Sequence, residues 1–539
     1  MKYSASLVDF LNLYKSQHPK DVFLVNEEIN VEYESTAHYK LLEQKNPLIW
    51  FSKVKDYPDF QLVTNVMGSR ARMAFALRLD SESQVYDSLT EALNLKGEFR
   101  ISDDSAPIKE RVFTGKDVDL YSLPVVKHYS RDGAHTGFGR YITAGLAVAR
   151  DPRSPEIINM SFTRIQIIGR DRYAFDMGSR SHFWRYVQSA TQQGASLQVS
   201  VIVGAHPVFY LLAASFIENE YAIAAKLIHA TFTNGITNNV PVPREAEIVI
   251  EAEVVPNEHY HEGPCGEFTG YMAGRTTGSV AKVKAILRRA RPIYYDIQPS
   301  NSYEHVGLFT MPRKAKILRM LGEVLPPGSR YKIEWPLVSA TALALCSLPD
   351  PEPGIAKQVG LALLALNALL SKVVMVNEGD CELELETFLA NLSVTGARNG
   401  ENVHVITDVF AIKLDPTTTC NGTSAKIIIV TKNAGVGYRK LVMTDRVRLV
   451  SGNSEVVISR KPATDGRINV IVGDDIDLQN INQIVWALST RLRPDKDVIF
   501  GDNGRIVFDT TRLTEKLEVP FLPKDVVERI ANKLRELHQ

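Results

Sequence analysis

Cysteine is scarce in this 539-residue chain: only Cys265, Cys346, Cys381 and Cys420 occur, and no two form a CxxC pair. That excludes a disulfide-built scaffold and a thiolate zinc site, and it predicts a reducing, cytoplasmic setting. Net charge is missing as well, since 62 Lys and Arg balance 62 Asp and Glu. With no global field and no local basic cluster, neither nucleic-acid nor anionic-membrane binding is expected. No Walker A sequence, no GxGxxG after a strand, no HExxH and no GxSxG is present, which removes support for nucleotide-cofactor, zinc-protease and serine-hydrolase chemistry. The first residues reach Asp9 and Lys15 without the apolar core of a signal peptide, so the sequons at Asn159, Asn391 and Asn421 are expected to stay unused. Long hydrophobic runs are absent too. The most apolar stretch, 359–376, is interrupted by Asn367, Ser371 and Lys372 and predicts a buried helix rather than a membrane span.

What is present is an ordinary globular composition, 45% apolar and 23% charged, long enough for about three domains. The fold class expected is α/β (α+β), with four parts. Residues 1–110 mix a helical start (Leu7, Phe10, Leu11, Tyr14) with short apolar runs and predict a small α/β domain. Residues 111–310 turn β-rich, with runs at 157–162, 197–203, 246–255 and 280–287 separated by turn signals such as Arg131-Asp132-Gly133. They predict an antiparallel barrel or sandwich with one helix at 218–229. Residues 311–510 alternate helical patterns (314–325, 355–370) with strands (404–410, 426–430, 469–472), predicting a second α/β domain. Residues 511–539 end in an amphipathic helix, 523–538, whose stripe of Val526, Val527, Ile530 and Leu534 docks either on its own domain or on a partner subunit.

Chemistry concentrates in HYHEGPCGEFTGY, residues 259–271. Gly263-Pro264 and Gly266 forbid a helix, so Glu262 and Glu267 lie on a tight loop, either as an acid/base pair or as two solvated turn carboxylates. A second constellation runs from Asn159 through Ser161, Phe162 and Thr163 to Arg164, followed by Arg180-Ser181-His182. In a strand, Asn159, Ser161 and Thr163 share one face and Met160, Phe162 and Arg164 the other. An Asn oxygen, a His nitrogen and a carboxylate suit a hard divalent ion; the plainer alternative is a strand Asn and a structural His. Glu218 and Glu220 open the next helix, where acids also serve the helix dipole. Asp474-Asp475-Ile476-Asp477 after a strand is either an acidic site or a turn with a helix cap.

In this order, these segments resemble the UbiD-type family of reversible decarboxylases. The resemblance runs through Asn65 to Arg72, Asp119 to Pro124, Asn159 to Arg164, Glu262 to Tyr271, and the Asp474 segment with Ile484 to Arg491. It implies a split β-barrel domain binding prenylated FMN between α/β segments, with a Glu-Arg-Glu set at Glu262, Arg164 and Glu267. Glu267 would be the general acid/base at the carbon that loses or gains CO2. Arg164 would hold the substrate carboxylate, and Glu262 would orient Arg164. The flavin would be held at Asn159, Ser161, Phe162, Thr163, Arg164, Ser181 and His182, with Lys426 at its phosphate. Mn2+ (or Mg2+) would sit on Asn159, His182 and Glu220, with Glu218 the fallback for Glu220, and K+ nearby. Phe268 after Glu267, and the lack of a Gln before His182, depart from some relatives.

The function so implied is decarboxylation of an aromatic, heteroaromatic or α,β-unsaturated acid, through covalent addition of the prenylated ring to the unsaturated carbon. A flavin prenyltransferase would supply the cofactor, and a homodimer or higher homo-oligomer is expected. The alternatives are an ordinary FMN enzyme with other chemistry, and a non-catalytic assembly subunit.

Overall fold

The computed structural model describes residues 5–536 apart from 93, 103–104, 135, 137–138, 176–180, 216, 218, 275–277, 340–341, 367–370, 434–436 and 513–516. The chain divides into two compact units, 1–315 together with 519–539, and 316–518.

Runs dominated by β-branched and small apolar residues, such as LQVSVIV and YITAGLAVARD, build the centre of the first unit. Six antiparallel strands pair in the order Ile248–Tyr260, Leu197–Val203, Tyr141–Asp151, Ser154–Ile167, Arg172–Phe175 and Gly278–Arg288. Gly278–Arg288 then pairs back with Ile248–Tyr260, so the hydrogen bonding returns on itself as in a barrel. Arg111–Thr114 is added beside Gly278–Arg288. This is the antiparallel barrel expected from the β-rich runs.

In the same unit a four-stranded sheet joins Val22–Ile29, Leu48–Val54, Gln61–Thr64 and Ile293–Asp296. Its last strand comes from beyond the barrel and lies parallel to Gln61–Thr64. The terminal helix Lys524–Glu536 also belongs here. Val526, Ile530 and Leu534, one helical face at i, i+4 and i+8, are buried in the apolar cluster that contains Val25, Ile29, Ala37 and Leu42, while Val527 stays partly exposed. Arg529 pairs with Glu34 at 2.6 Å and Lys533 with Glu27 at 2.8 Å. Of the two docking partners expected for this stripe, it takes its own chain.

The second unit holds a five-stranded sheet in the order Lys332–Glu334, Leu343–Leu348, Val373–Glu378, Thr423–Lys432 and Val403–Phe410, the middle three strands being parallel. A six-stranded sheet follows from Arg439–Val442 to Ile506–Asp509. One expectation is corrected: 359–376 is not a single buried helix. The described helix is Ile355–Leu366 and Val373 begins a central parallel strand; a strand buried on both faces is as uniformly apolar as a buried helix. Residues 367–370, at the C-terminal end of the expected 355–370 helix, lie outside the described residues. The helix expected at 314–325 is longer, Tyr303–Val324, and takes Pro312 into its interior. No helix among the described residues is long and apolar enough to cross a membrane.

Candidate active site

Barrel strand Ile248–Tyr260 stops just before the loop of the two glutamates. Past Gly263-Pro264, Cys265–Gly266 pairs with Met272–Ala273, and Glu267 N donates to Tyr271 O at 2.9 Å, closing a tight turn around Gly270 at φ 87°. Three contacts pin the loop to the barrel and its flanking turn. Gly263 N donates to Gln166 Oε1 at 3.0 Å, Tyr141 Oη donates to Gly263 O at 2.9 Å, and Gly133 N donates to Pro264 O at 2.8 Å. A side chain at 263 would lie 2.5 Å from Gly133 Cα, so only glycine allows this approach.

The loop delivers both carboxylates to Arg164 on strand Ser154–Ile167. Arg164 donates from Nε to Glu262 Oε1 at 2.8 Å and from Nη2 to Glu262 Oε2 at 2.7 Å, a bidentate pair, and its Nη1 donates to Glu267 Oε1. Glu262 is 1% and Glu267 7% exposed, which excludes the solvated-turn alternative for both. Burial works against the guanidinium charge, but Glu262 and then Glu267 outweigh it and hold the Arg164 pKa well above its ordinary value.

Sequence reasoning noted Phe268 but missed the groups that helix Tyr303–Val324 brings beside it. Phe268 stacks on Phe309 with ring centroids 4.5 Å apart, and Arg313 Cζ lies 3.9 Å from the Phe309 centroid. His305 Nδ1 lies 2.9 Å from Ser300 O. Burial lowers the His305 pKa, Glu267 and the Ser300 carbonyl oppose this, and Arg164 adds to it. His305, Phe309 and Arg313 recur every four residues on helix Tyr303–Val324, a face legible in the sequence once the helix is known to begin before Pro312.

Five residues before Arg164 on the same strand, a second cluster forms. Asn159 Nδ2 donates to Glu220 Oε1 at 3.0 Å and lies 3.5 Å from His182 Nδ1, and Ser161 Oγ donates to Asn159 Oδ1 at 2.7 Å. His182 is the first residue of helix His182–Gln192, capped by Ser181 Oγ accepting from Trp184 N at 3.1 Å. Glu220 opens helix Glu220–Ile228 and is 1% exposed. The amide N–H of Asn159 stands where a cation would meet the Glu and the His. Turning that amide over presents Oδ1 instead, giving an O, N, O donor set suited to a hard divalent ion. Phe162 instead packs against Tyr210, with centroids 5.6 Å apart, and Thr163 is buried. Glu218 and Arg180 lie outside the described residues.

Lys426 belongs to the second unit and is 1% exposed. The Asp474 segment is a turn: Asp475 pairs with Arg491 at 2.5 Å, Asp474 is exposed, and the helix cap that follows is Asn480.

Models of the three UbiD domains match this chain: the 3-octaprenyl-4-hydroxybenzoate carboxy-lyase N-terminal domain at residues 15–93, the Rift-related domain at 100–302 and the C-terminal domain at 461–512. The chain belongs to the UbiD family of carboxy-lyases. It is similar to the phenolic acid decarboxylase of Bacillus subtilis, 25% identical over 75% of this chain and 88% of the relative. It is also similar to the anhydromevalonate phosphate decarboxylase of Methanosarcina mazei, 26% identical over 68% and 83%. Among solved structures it matches the UbiD-class enzyme HmfF from Pelotomaculum thermopropionicum. The complex with FMN is 27% identical over 79% of this chain and 94% of that one, with a TM-score of 0.71. An evolved dimeric form in complex with prFMN is 25% identical over 82% and 97%, with a TM-score of 0.70.

Proposed function

We propose that this chain is a prenylated-FMN-dependent decarboxylase of an aromatic, heteroaromatic or α,β-unsaturated carboxylic acid. The observation that carries the reading is Arg164 held between two buried carboxylates, bidentate to Glu262 and singly to Glu267. The HmfF complexes with FMN and prFMN support the cofactor, and the named activities of the relatives support the substrate class.

Bound prenylated FMN supplies the electron sink that loss of a carboxylate from an sp2 carbon requires. Everything else falls to the chain. A substrate carboxylate meets Arg164 and replaces Glu267 at Nη1, while the bidentate bond to Glu262 keeps the guanidinium plane in place. The C–C bond to the carboxylate breaks and CO2 leaves. Glu267, released from Arg164, takes up a proton from water and delivers it to the vacated carbon, which returns it to the carboxylate form. In the carboxylating direction Glu267 takes the proton away. The stacked Phe268 and Phe309 provide the apolar wall that keeps water from that carbon.

Asn159, His182 and Glu220 would hold Mn2+ or Mg2+ through an O, N, O set, with K+ alongside, and this fits their convergence around the Asn159 amide. A flavin prenyltransferase must supply the cofactor, and the working form is a homo-oligomer.

The test is co-expression with a flavin prenyltransferase, purification with Mn2+ and K+, and mass spectrometry of the released flavin. Prenylated FMN near one per chain, with CO2 released from unsaturated but not saturated acids, is the expected result. Glu267→Gln should retain the flavin and lose turnover. An intact chain that takes up plain FMN or none overturns the reading.

A further inference from the structure

Two residues that the reaction just described leaves without a role hold the loop that carries Glu262. Tyr141 and Gln166 are register partners on barrel strands Tyr141–Asp151 and Ser154–Ile167, and both are fully buried. They grip the same residue. Tyr141 Oη donates to Gly263 O at 2.9 Å, and Gln166 Oε1 accepts from Gly263 N at 3.0 Å. One cross-strand pair therefore binds both backbone polar groups of Gly263, one peptide bond from Glu262. Arg164 stands two residues before Gln166 on the same strand, so alternation puts the two side chains on one face. The groups that place Glu262 and the cation it must meet thus share one pair of strands, a firmer mount than the loop itself.

A ring of hydrogen bonds fixes the Gln166 amide. Its Nε2 donates to Thr136 Oγ1 at 2.6 Å, Thr136 Oγ1 donates to Gly133 O at 2.9 Å, and Gly133 N donates to Pro264 O at 2.8 Å. The Thr136 hydroxyl has a single proton and gives it to Gly133, so toward Gln166 it is an acceptor. Turning the amide over would set Nε2 against Gly263 N, donor to donor. The far side of the ring is anchored as well. Asp132 Oδ2 accepts from His128 N at 3.0 Å and from Tyr129 N at 2.9 Å, and His128 Nε2 lies 2.9 Å from Asp296 Oδ1. Burial, with Cys265 and Glu262 adding to it, raises the Tyr141 pKa, so the phenol remains a donor.

A bidentate carboxylate–guanidinium pair keeps both bonds only while its two halves are held within ~0.5 Å of register. We propose that Tyr141 and Gln166 are positioning residues for the decarboxylation: they clamp Gly263 and through it set the point at which Glu262 locks the Arg164 guanidinium. Neither acts on the reacting carbon. The inference rests on the decarboxylase reading for the reaction it serves, and on the hydrogen-bonded ring for the clamp.

The experiment measures kcat and KM for CO2 release, and flavin per chain, in the holoenzyme and in Tyr141→Phe, Gln166→Met and Glu262→Ala, singly and combined. Tyr141→Phe and Gln166→Met should each lower kcat/KM about tenfold, mostly through KM, with flavin content unchanged. In the Glu262→Ala background no carboxylate is left to place, so either change should then move kcat/KM less than twofold. Packing damage would instead multiply with the Glu262→Ala loss, and that result overturns the clamp. A single variant within twofold of wild type overturns the role of its residue. Should Gln166→Met fail to fold, Tyr141→Phe, which removes one oxygen, carries the test. Where Glu262→Ala releases no measurable CO2, a crystal structure of Tyr141→Phe decides: Glu262 shifted off its two bonds to Arg164 keeps the clamp, and an unchanged bidentate pair overturns it. A wild type inactive on every unsaturated acid sinks the decarboxylase reading, and the same crystal structure still judges the clamp.

Discussion

Arg164 and Glu262 are joined by two hydrogen bonds of 2.8 and 2.7 Å, whereas Arg164 and Glu267 share one. The asymmetry separates a fixed partner from an exchangeable one. A bidentate carboxylate locks the guanidinium plane; a carboxylate held by a single N–H can leave it.

Glu262→Gln should therefore act through Arg164. Decarboxylation should fall by about 100-fold, the low end for a displaced catalytic group, and KM for the acid should rise as the carboxylate anchor tilts. Steady-state kinetics beside Glu267→Gln checks this: the Glu267 variant should lose kcat with KM nearly unchanged.

Asn159→Ala should remove divalent metal without unfolding the barrel. The loss of Mn2+ affinity should exceed the roughly 10–100-fold typical of an outer-sphere partner. Metal content by mass spectrometry and Mn2+ titration of the purified chain provide the measurement. Retention of wild-type affinity would show that Asn159 is only a strand residue bonded to Glu220.

Glu304 supplies a pH test. It accepts from Tyr295 Oη and Met67 N, both at 2.6 Å, and burial, opposed by those bonds, raises its carboxyl to about 7. The folded form therefore binds a proton that the unfolded form has released once pH exceeds the ordinary carboxylate range. The stabilisation is complete below pH ~4.5 and is lost as pH rises through ~7, a change on the order of 3 kcal/mol. Melting temperature of the wild type should fall between pH 5 and 8 more steeply than that of Glu304→Gln, which cannot ionise.

Ile530 tests the terminal helix. It is fully buried between Val526 and Leu534 in the cluster that contains Ile29 and Ala37. Ile530→Ala should cost about 2–5 kcal/mol in denaturant unfolding of the first unit. If the stripe served a partner subunit instead, the variant would alter oligomeric state and leave that unfolding step unmoved.

Much of the site was legible in the chain because its chemistry is local. Gly263-Pro264 and Gly266 dictate a loop wherever they stand, so Glu262 and Glu267 could be placed on one. Alternation along 159–164 assigned Asn159 and Arg164 to different faces before any partner was known. His305, Phe309 and Arg313 escaped because their signal is a face of a helix whose start was hidden by Pro312. Likewise 359–376 read as one helix because apolar runs do not distinguish a buried helix from a central parallel strand.

The sequence by itself determined the elements and the residue types: the β-rich centre, the loop that cannot be helical, the charge balance, and the family these motifs define. Only the tertiary structure decided which groups meet. Glu262 reaches Arg164 across 98 residues and Glu220 reaches Asn159 across 61, while Tyr141 and Gln166 become neighbours through strand register alone. Backbone preference is a property of a few consecutive residues. Pairing across such distances follows from closure of the barrel and packing of the sheets, which no local window of the chain contains.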